Sequence, residues 1–133
     1  MSITIRVKYK PKIKFNLGYG AFFNIRKDIA YKLSKKIGLI YEDFINPNFA
    51  KRNASGLEWE TVYNNSDDKT KKVMDFLITS DCEGYTPPET CKILTEFKDS
   101  MISDEKIKYF RENILTPFFN TVEAGVKKGI WWS

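Results

Sequence analysis

Histidine is missing from all 133 residues. With it go the Ser-His-Asp and Cys-His pairs, the usual proton shuttle at neutral pH and the Cys₂His₂ zinc site. Paired carboxylates or a lysine can catalyse without histidine, but no spacing here singles out such a pair. No catalytic residue is therefore assigned, and the chain reads as non-enzymatic. Cysteine is scarce: Cys82 and Cys91 are too few for a disulfide framework and are expected as free thiols in a reducing compartment. No apolar run nears the roughly 18 to 20 residues of a membrane span, and the opening Met1-Ser2-Ile3-Thr4-Ile5-Arg6 lacks a signal peptide's apolar region. A cytoplasmic location with no membrane partner is expected. There is no Walker A loop, and Gly18-Tyr19-Gly20 lacks the third glycine of the dinucleotide fingerprint, so no cofactor is implied.

What is present is aromatic and unevenly charged. Ten Phe, seven Tyr and three Trp supply large side chains for one core, and the length suits a single domain spanning residues 1–133. The net charge of +5 conceals a split: residues 1–40 carry ten Lys or Arg against the one acid Asp28, whereas residues 41–133 hold twelve bases and sixteen acids. A basic N-terminal third attracts an anionic partner such as nucleic acid, a nucleotide or an acidic protein surface; it equally suits a solvated strand and helix face.

Ile3, Ile5, Val7 and Tyr9 alternate with Thr4, Arg6, Lys8 and Lys10, which predicts a strand with one buried face. Pro11 ends it or marks an edge, and Lys12 to Phe15 continues the alternation. Phe22, Ile25, Ile29, Leu33 and Ile37 recur at helical spacing up to Gly38, with Arg26 at the border of the stripe. Asn46-Pro47-Asn48 and Asn53-Ala54-Ser55-Gly56 read as turns, and Leu57 to Tyr63 as a strand. Asn64 to Asp68 caps a helix through Val73 and Leu77. Thr86-Pro87-Pro88-Glu89 reads as a capping box with Thr86 at the N-cap, opening a helix that turns Cys91 toward the core. Ser103-Asp104-Glu105 opens a last helix through Ile107, Phe110, Ile114, Phe118, Val122 and Val126. Pro117 is expected to kink it, Gly129 to cap it, and Ile130-Trp131-Trp132 to form a terminal strand. The fold class expected is α+β: a small helix-rich domain with an N-terminal strand, about four helices and a short sheet open to the C-terminal strand.

The polar stretch Ser80-Asp81-Cys82-Glu83-Gly84-Tyr85 does not make a calcium loop, because Gly84 follows Asp81 by only three residues. No metal site is assigned. This stretch, with Pro88-Glu89 and Cys91, resembles the S-D-C-[DE]-G…P-E-x-C segment of a widespread family of small uncharacterised bacterial and phage proteins. The similarity extends loosely to Tyr19, Phe22, Arg26 and Ile29, and to Phe119, Glu123 and Ala124. It departs at Thr79, where many relatives carry histidine. The resemblance implies a shared fold and pocket rather than an activity, and suggests a phage or mobile-element origin.

Three functions are weighed on these residues. The first is sequestration of an anionic small molecule, such as a signalling nucleotide, to counter host defence. Tyr19, Phe22 and Tyr85 would stack a base, Arg26 would pair a phosphate, and Asp81, with Ser80 beside it in the pocket, would accept from ribose or base. The bland alternative is an Arg26–Asp81 salt bridge that fixes the loop. The second is inhibition of a host protein through Trp59, Trp131 and Trp132 as anchors. The third is nucleic-acid binding through Arg6, Lys8, Lys10, Lys12 and Lys14, taken as five bases on one side of the N-terminal strand. A homo-oligomer remains open in all three.

Overall fold

The computed structural model describes residues 2–45 and 56–133; of Pro11, Ile45 and residues 107–112 only the backbone is described. In chain order these residues form β1 (Ser2–Val7), β2 (Lys10–Gly18), α1 (Tyr19–Ile37), α2 (Tyr41–Ile45), α3 (Trp59–Asn65), α4 (Asp68–Ile78), β3 (Gly84–Thr86), α5 (Pro88–Thr95), α6 (Lys98–Ile102), α7 (Glu105–Ala124) and β4 (Ile130–Trp132). The class is α+β, and the two chain ends share one four-stranded antiparallel sheet of order β2-β1-β4-β3.

The N-terminal alternation delivers this sheet its buried face. Ile3, Ile5 and Val7 are buried on β1, with Leu17 and Phe15 opposite Ile3 and Ile5 on β2, and Ile130 opposite Val7 on β4. The helices cover this one face, α7 packing on β1 and β2 and α1 on β2. Tyr9 departs from the expected alternation. It lies in the turn between β1 and β2 at φ 65°, is 77% exposed and buries nothing against the core. The five N-terminal cations do not form one row either. Arg6 pairs with Lys14, but the register shifts after Arg6, so that Lys10 stands opposite the inward-facing Val7.

The core is organised around Phe22, fully buried on α1, with ring centroids 5.3 Å from Trp132, 6.3 Å from Phe76 and 6.5 Å from Phe118. Aromatic edge contacts of this kind add about 0.5–1.5 kcal/mol per pair beyond burial. Backbone passes close beneath Trp132 at Gly84, where a Cβ would overlap the indole. Gly38 ends α1 in the left-handed region at φ 81°, as the sequence indicates.

Three local expectations are corrected. Leu57 to Tyr63 is not a strand: Trp59 opens α3, and Trp59, Val62 and Tyr63 form a helical stripe hidden inside the short alternation. The rings of Trp59 and Tyr63 stack at 4.8 Å, one turn apart. Thr86 is not an N-cap, because pairing with Ile130 draws it into β3. Pro87 caps α5, without a side-chain hydrogen bond, and the buried Thr86 hydroxyl has no partner among the described residues. The last helix ends at Ala124 with Gly125 as its cap; Gly129, at φ 86°, instead turns the chain into β4, and Val126 lies outside the helix and exposed. Pro117 stands inside α7, which runs through it as one element. The turns expected at 46–48 and 53–55, and the side chains of Ile107 and Phe110, lie outside the described residues.

Asp67 caps α4 as anticipated, accepting from the Thr70 amide at 2.7 Å and from Lys36 Nζ at 2.8 Å. These donors hold its carboxyl well below the ordinary 3.8. The stabilisation is complete above that ordinary value and is lost as pH falls through the lower native one. Urea unfolding of the wild type should therefore show stability declining below about pH 4, and Asp67→Asn should lose part of that decline. An identical pH profile in the variant would contradict the assignment.

Candidate functional site

The six residues picked from sequence as one pocket are distributed over three environments. Phe22 is fully buried and holds the core together, which removes it from any stacking role. Tyr19 is half-buried against the core at the start of α1, within reach of the Cys82 thiol. Arg26, expected at a border, is 2% exposed. Its Nη2 donates to the carbonyls of Phe76 (3.0 Å), Leu77 and Thr79 (2.5 Å), so that it caps the C-terminal end of α4, where the helix dipole favours a cation. Ser80 and Asp81 follow on the exposed loop, and together with Arg26, Phe23, Tyr41 and Phe44 they border a cavity of about 310 Å³. Tyr85 lies elsewhere, on the opposite face of the sheet.

The Arg26–Asp81 salt bridge weighed as the bland alternative to a pocket does not form. Asp81 acts on the guanidinium only at longer range, and every hydrogen bond that Arg26 gives to the described residues ends on a carbonyl. Burial pushes the Arg26 pKa down, an effect that Tyr41 and Asp81 oppose. Burial likewise raises that of Tyr41. The loop is held from its other side by Trp132, whose Nε1 donates to the Ser80 carbonyl at 2.9 Å.

Tyr85 leads to the surface that the sequence did not assemble. On the outer face of the sheet, Arg6 of β1 is in register with Trp131 of β4, and Trp131 with Tyr85 of β3; Lys14 of β2 extends the row beyond Arg6. Trp131 is 40% exposed and Tyr85 42%, and the Arg6 guanidinium lies 4.9 Å from the Trp131 ring centre. Lys8 Nζ stands 4.6 Å from the ring centre of Tyr85 and 5.3 Å from that of Tyr9, and Lys8, Tyr9, Tyr85 and Trp131 enclose a shallow hollow of about 440 Å³. The next row carries Asn16, Thr4 and Ser133, where Thr4 Oγ1 donates to Asn16 Oδ1 and Arg6 to Ser133 Oγ. Each aromatic could be read individually from the sequence. Their meeting depends on strand order and register, and neither leaves a local signal.

Other charged surface is more fully occupied. Around the apolar hollow of Leu33, Val73, Ile93 and Phe97, the lysines Lys32, Lys36 and Lys69 pair with Asp104, Asp67 and Glu96. Among the described residues no group of three or more His, Cys, Asp or Glu side chains is placed to hold a metal ion, and no helix is long and apolar enough to cross a membrane. In comparisons with family models, curated proteins and solved structures, the chain matches none.

The two cysteines differ sharply. Burial raises the Cys91 thiol to about 12, whereas Cys82 is exposed and raised by its hydrogen bond to Asp81. A thiol reagent such as DTNB at neutral pH should titrate one thiol per native chain and the second only after denaturation. Two equally fast thiols in the native protein would contradict this placement.

Proposed function

We propose that the protein is a non-enzymatic binder of single-stranded nucleic acid, which lies across the outer face of the sheet. The observation that carries this reading is the in-register row Arg6, Trp131 and Tyr85, flanked by Lys14 and Lys8. Exposed rings on neighbouring strands offer flat apolar surface to successive bases, worth about 1–3 kcal/mol per stacked base. Cations on both sides of the rings meet the phosphates that connect those bases. A duplex hides its base faces and gains only the second of these contributions, so the face favours single strands.

Tyr9 adds independent support. A bulky residue in the left-handed region costs about 1–2 kcal/mol, which Gly or Asn would largely avoid. Here that position holds a tyrosine whose ring is 77% exposed, so the cost is not repaid by packing in the free protein. A stacked base would repay it. The same chemistry suits a free nucleotide, which would occupy one ring and one cation instead of the whole row.

Fluorescence anisotropy with a labelled oligothymidine of about ten nucleotides tests the reading. Single-stranded DNA should bind more tightly than duplex of equal length and more tightly than thymidine monophosphate. Trp131→Ala and Tyr85→Ala should each weaken binding by about 5- to 150-fold without loss of fold. With Arg6, Lys8 and Lys14 engaged, log affinity should fall against log salt with a slope of about −2. Binding that is absent, or unchanged in Trp131→Ala, would refute the proposal.

A further inference from the structure

The Arg26 side chain is more than its capping role requires. An ordinary C-terminal cap projects from the last turn into solvent, where its charge is cheaply hydrated. This one crosses from another helix and is 2% exposed, between the rings of Phe22 at 5.2 Å and Phe76 at 5.5 Å. No carboxylate of the described residues forms an ion pair with it. Its bonds to the described residues leave from Nη2 alone, and Nε is sealed with no partner among them. A buried guanidinium is a poor stabiliser unless an anion or a full set of acceptors completes it. The three carbonyls of α4 supply part of that set, on one nitrogen.

The same guanidinium borders a cavity whose walls are chemically divided. One side is apolar and aromatic: Phe23, 38% exposed and packed edge-on to Tyr41 at 5.1 Å, with Phe44 behind. The other is polar: the Ser80 hydroxyl, and the exposed Asp81 carboxylate, which accepts from the Cys82 thiol. At about 310 Å³ the space is at the small end of ligand pockets. It admits a small molecule, not a polymer.

We infer that this cavity is a second binding site, taking a small molecule that combines one anionic group, a flat apolar body and a hydrogen-bond donor. The anion faces Arg26, where low dielectric makes the pairing strong; the body lies on Phe23; the donor faces Asp81. Asp81 also selects against a ligand of uniformly negative charge, because such a ligand would bring like charges together at the mouth. A nucleoside monophosphate and an aromatic amino acid share this chemistry, one through phosphate and base, the other through carboxylate and ammonium. The site stands apart from the sheet's outer face and does not depend on the nucleic-acid reading.

Isothermal titration of the full chain with adenosine monophosphate, and separately with phenylalanine, tests it and distinguishes the two sources. One of them should bind, with backbone amide NMR shifts at Asp81 and Cys82. Asp81→Asn, an exposed substitution that leaves the core intact, should weaken that binding by about tenfold, and Arg26→Lys, which keeps charge but loses the planar fork, by more. Trp131→Ala should leave it unchanged while weakening oligonucleotide binding, so the two proposals fail separately. No heat with either probe, binding unaffected in Asp81→Asn, or shifts confined to Tyr85 and Trp131 would overturn the inference. Should Arg26→Lys not fold, Asp81→Asn decides.

Discussion

The burial of Trp132 is the constraint on which the rest depends. Adjacent residues in a strand face opposite sides of the sheet, so fixing one fixes the next. Trp132 is fully buried, touches Phe22 and Phe76 at the centre of the core and donates to the Ser80 carbonyl. Removing such a side chain typically costs about 3–5 kcal/mol. This energy holds β4 between β1 and β3, and the pleat then presents Trp131 outward in line with Arg6 and Tyr85. The exposed aromatic row is therefore a rigid feature of the fold, set by a core residue next to it.

The same residue joins the sheet to the polar loop. Thr79 and Ser80 are gripped from two sides, the first carbonyl by Arg26 of α1 and the second by Trp132 of β4. The grip anchors the backbone of Thr79 and Ser80 and leaves the next residue, Asp81, exposed at the edge of the cavity. Gly84 completes the arrangement, since only a residue without a side chain lets β3 pass so close to the indole. Charge follows the fold as well. The basic N-terminal third becomes the hairpin and first helix, so Arg6, Lys8 and Lys14 collect on the bare face of the sheet, whereas the α1 lysines Lys32 and Lys36 are matched by Asp104 and Asp67.

Much of this was legible in the chain because it rests on periodicity and local chemistry. The β1 alternation, the α1 stripe ending at Gly38, Asp67 and Asp104 as caps, the inward Cys91 and the C-terminal strand all follow from residues within a few positions of one another. Where local signals competed, tertiary context decided. Thr86 satisfies a capping pattern and a strand position equally, and pairing with Ile130 chose the strand. Trp59 to Tyr63 fits two periods over too few residues to separate them. The candidate pocket was half legible: Arg26, Ser80 and Asp81 do meet at one cavity, but helical spacing cannot say that Phe22 is sealed among α4, α7 and β4 or that Tyr85 leaves through the far side of the sheet. The row of Arg6, Trp131 and Tyr85 joins residues up to 125 positions apart, and only strand order brings them together.

The most direct measurement is the indole N–H region of a nitrogen–proton correlation spectrum, because the chain has three tryptophans in three environments. Trp132 is fully buried, Trp59 is half-buried beside Phe44 and Tyr63, and Trp131 lies open on the sheet. Titration with oligothymidine should shift the Trp131 indole resonance in proportion to saturation and leave those of Trp59 and Trp132 in place. A titration that moves Trp59 alone, or none of the three, would contradict binding at the outer face of the sheet.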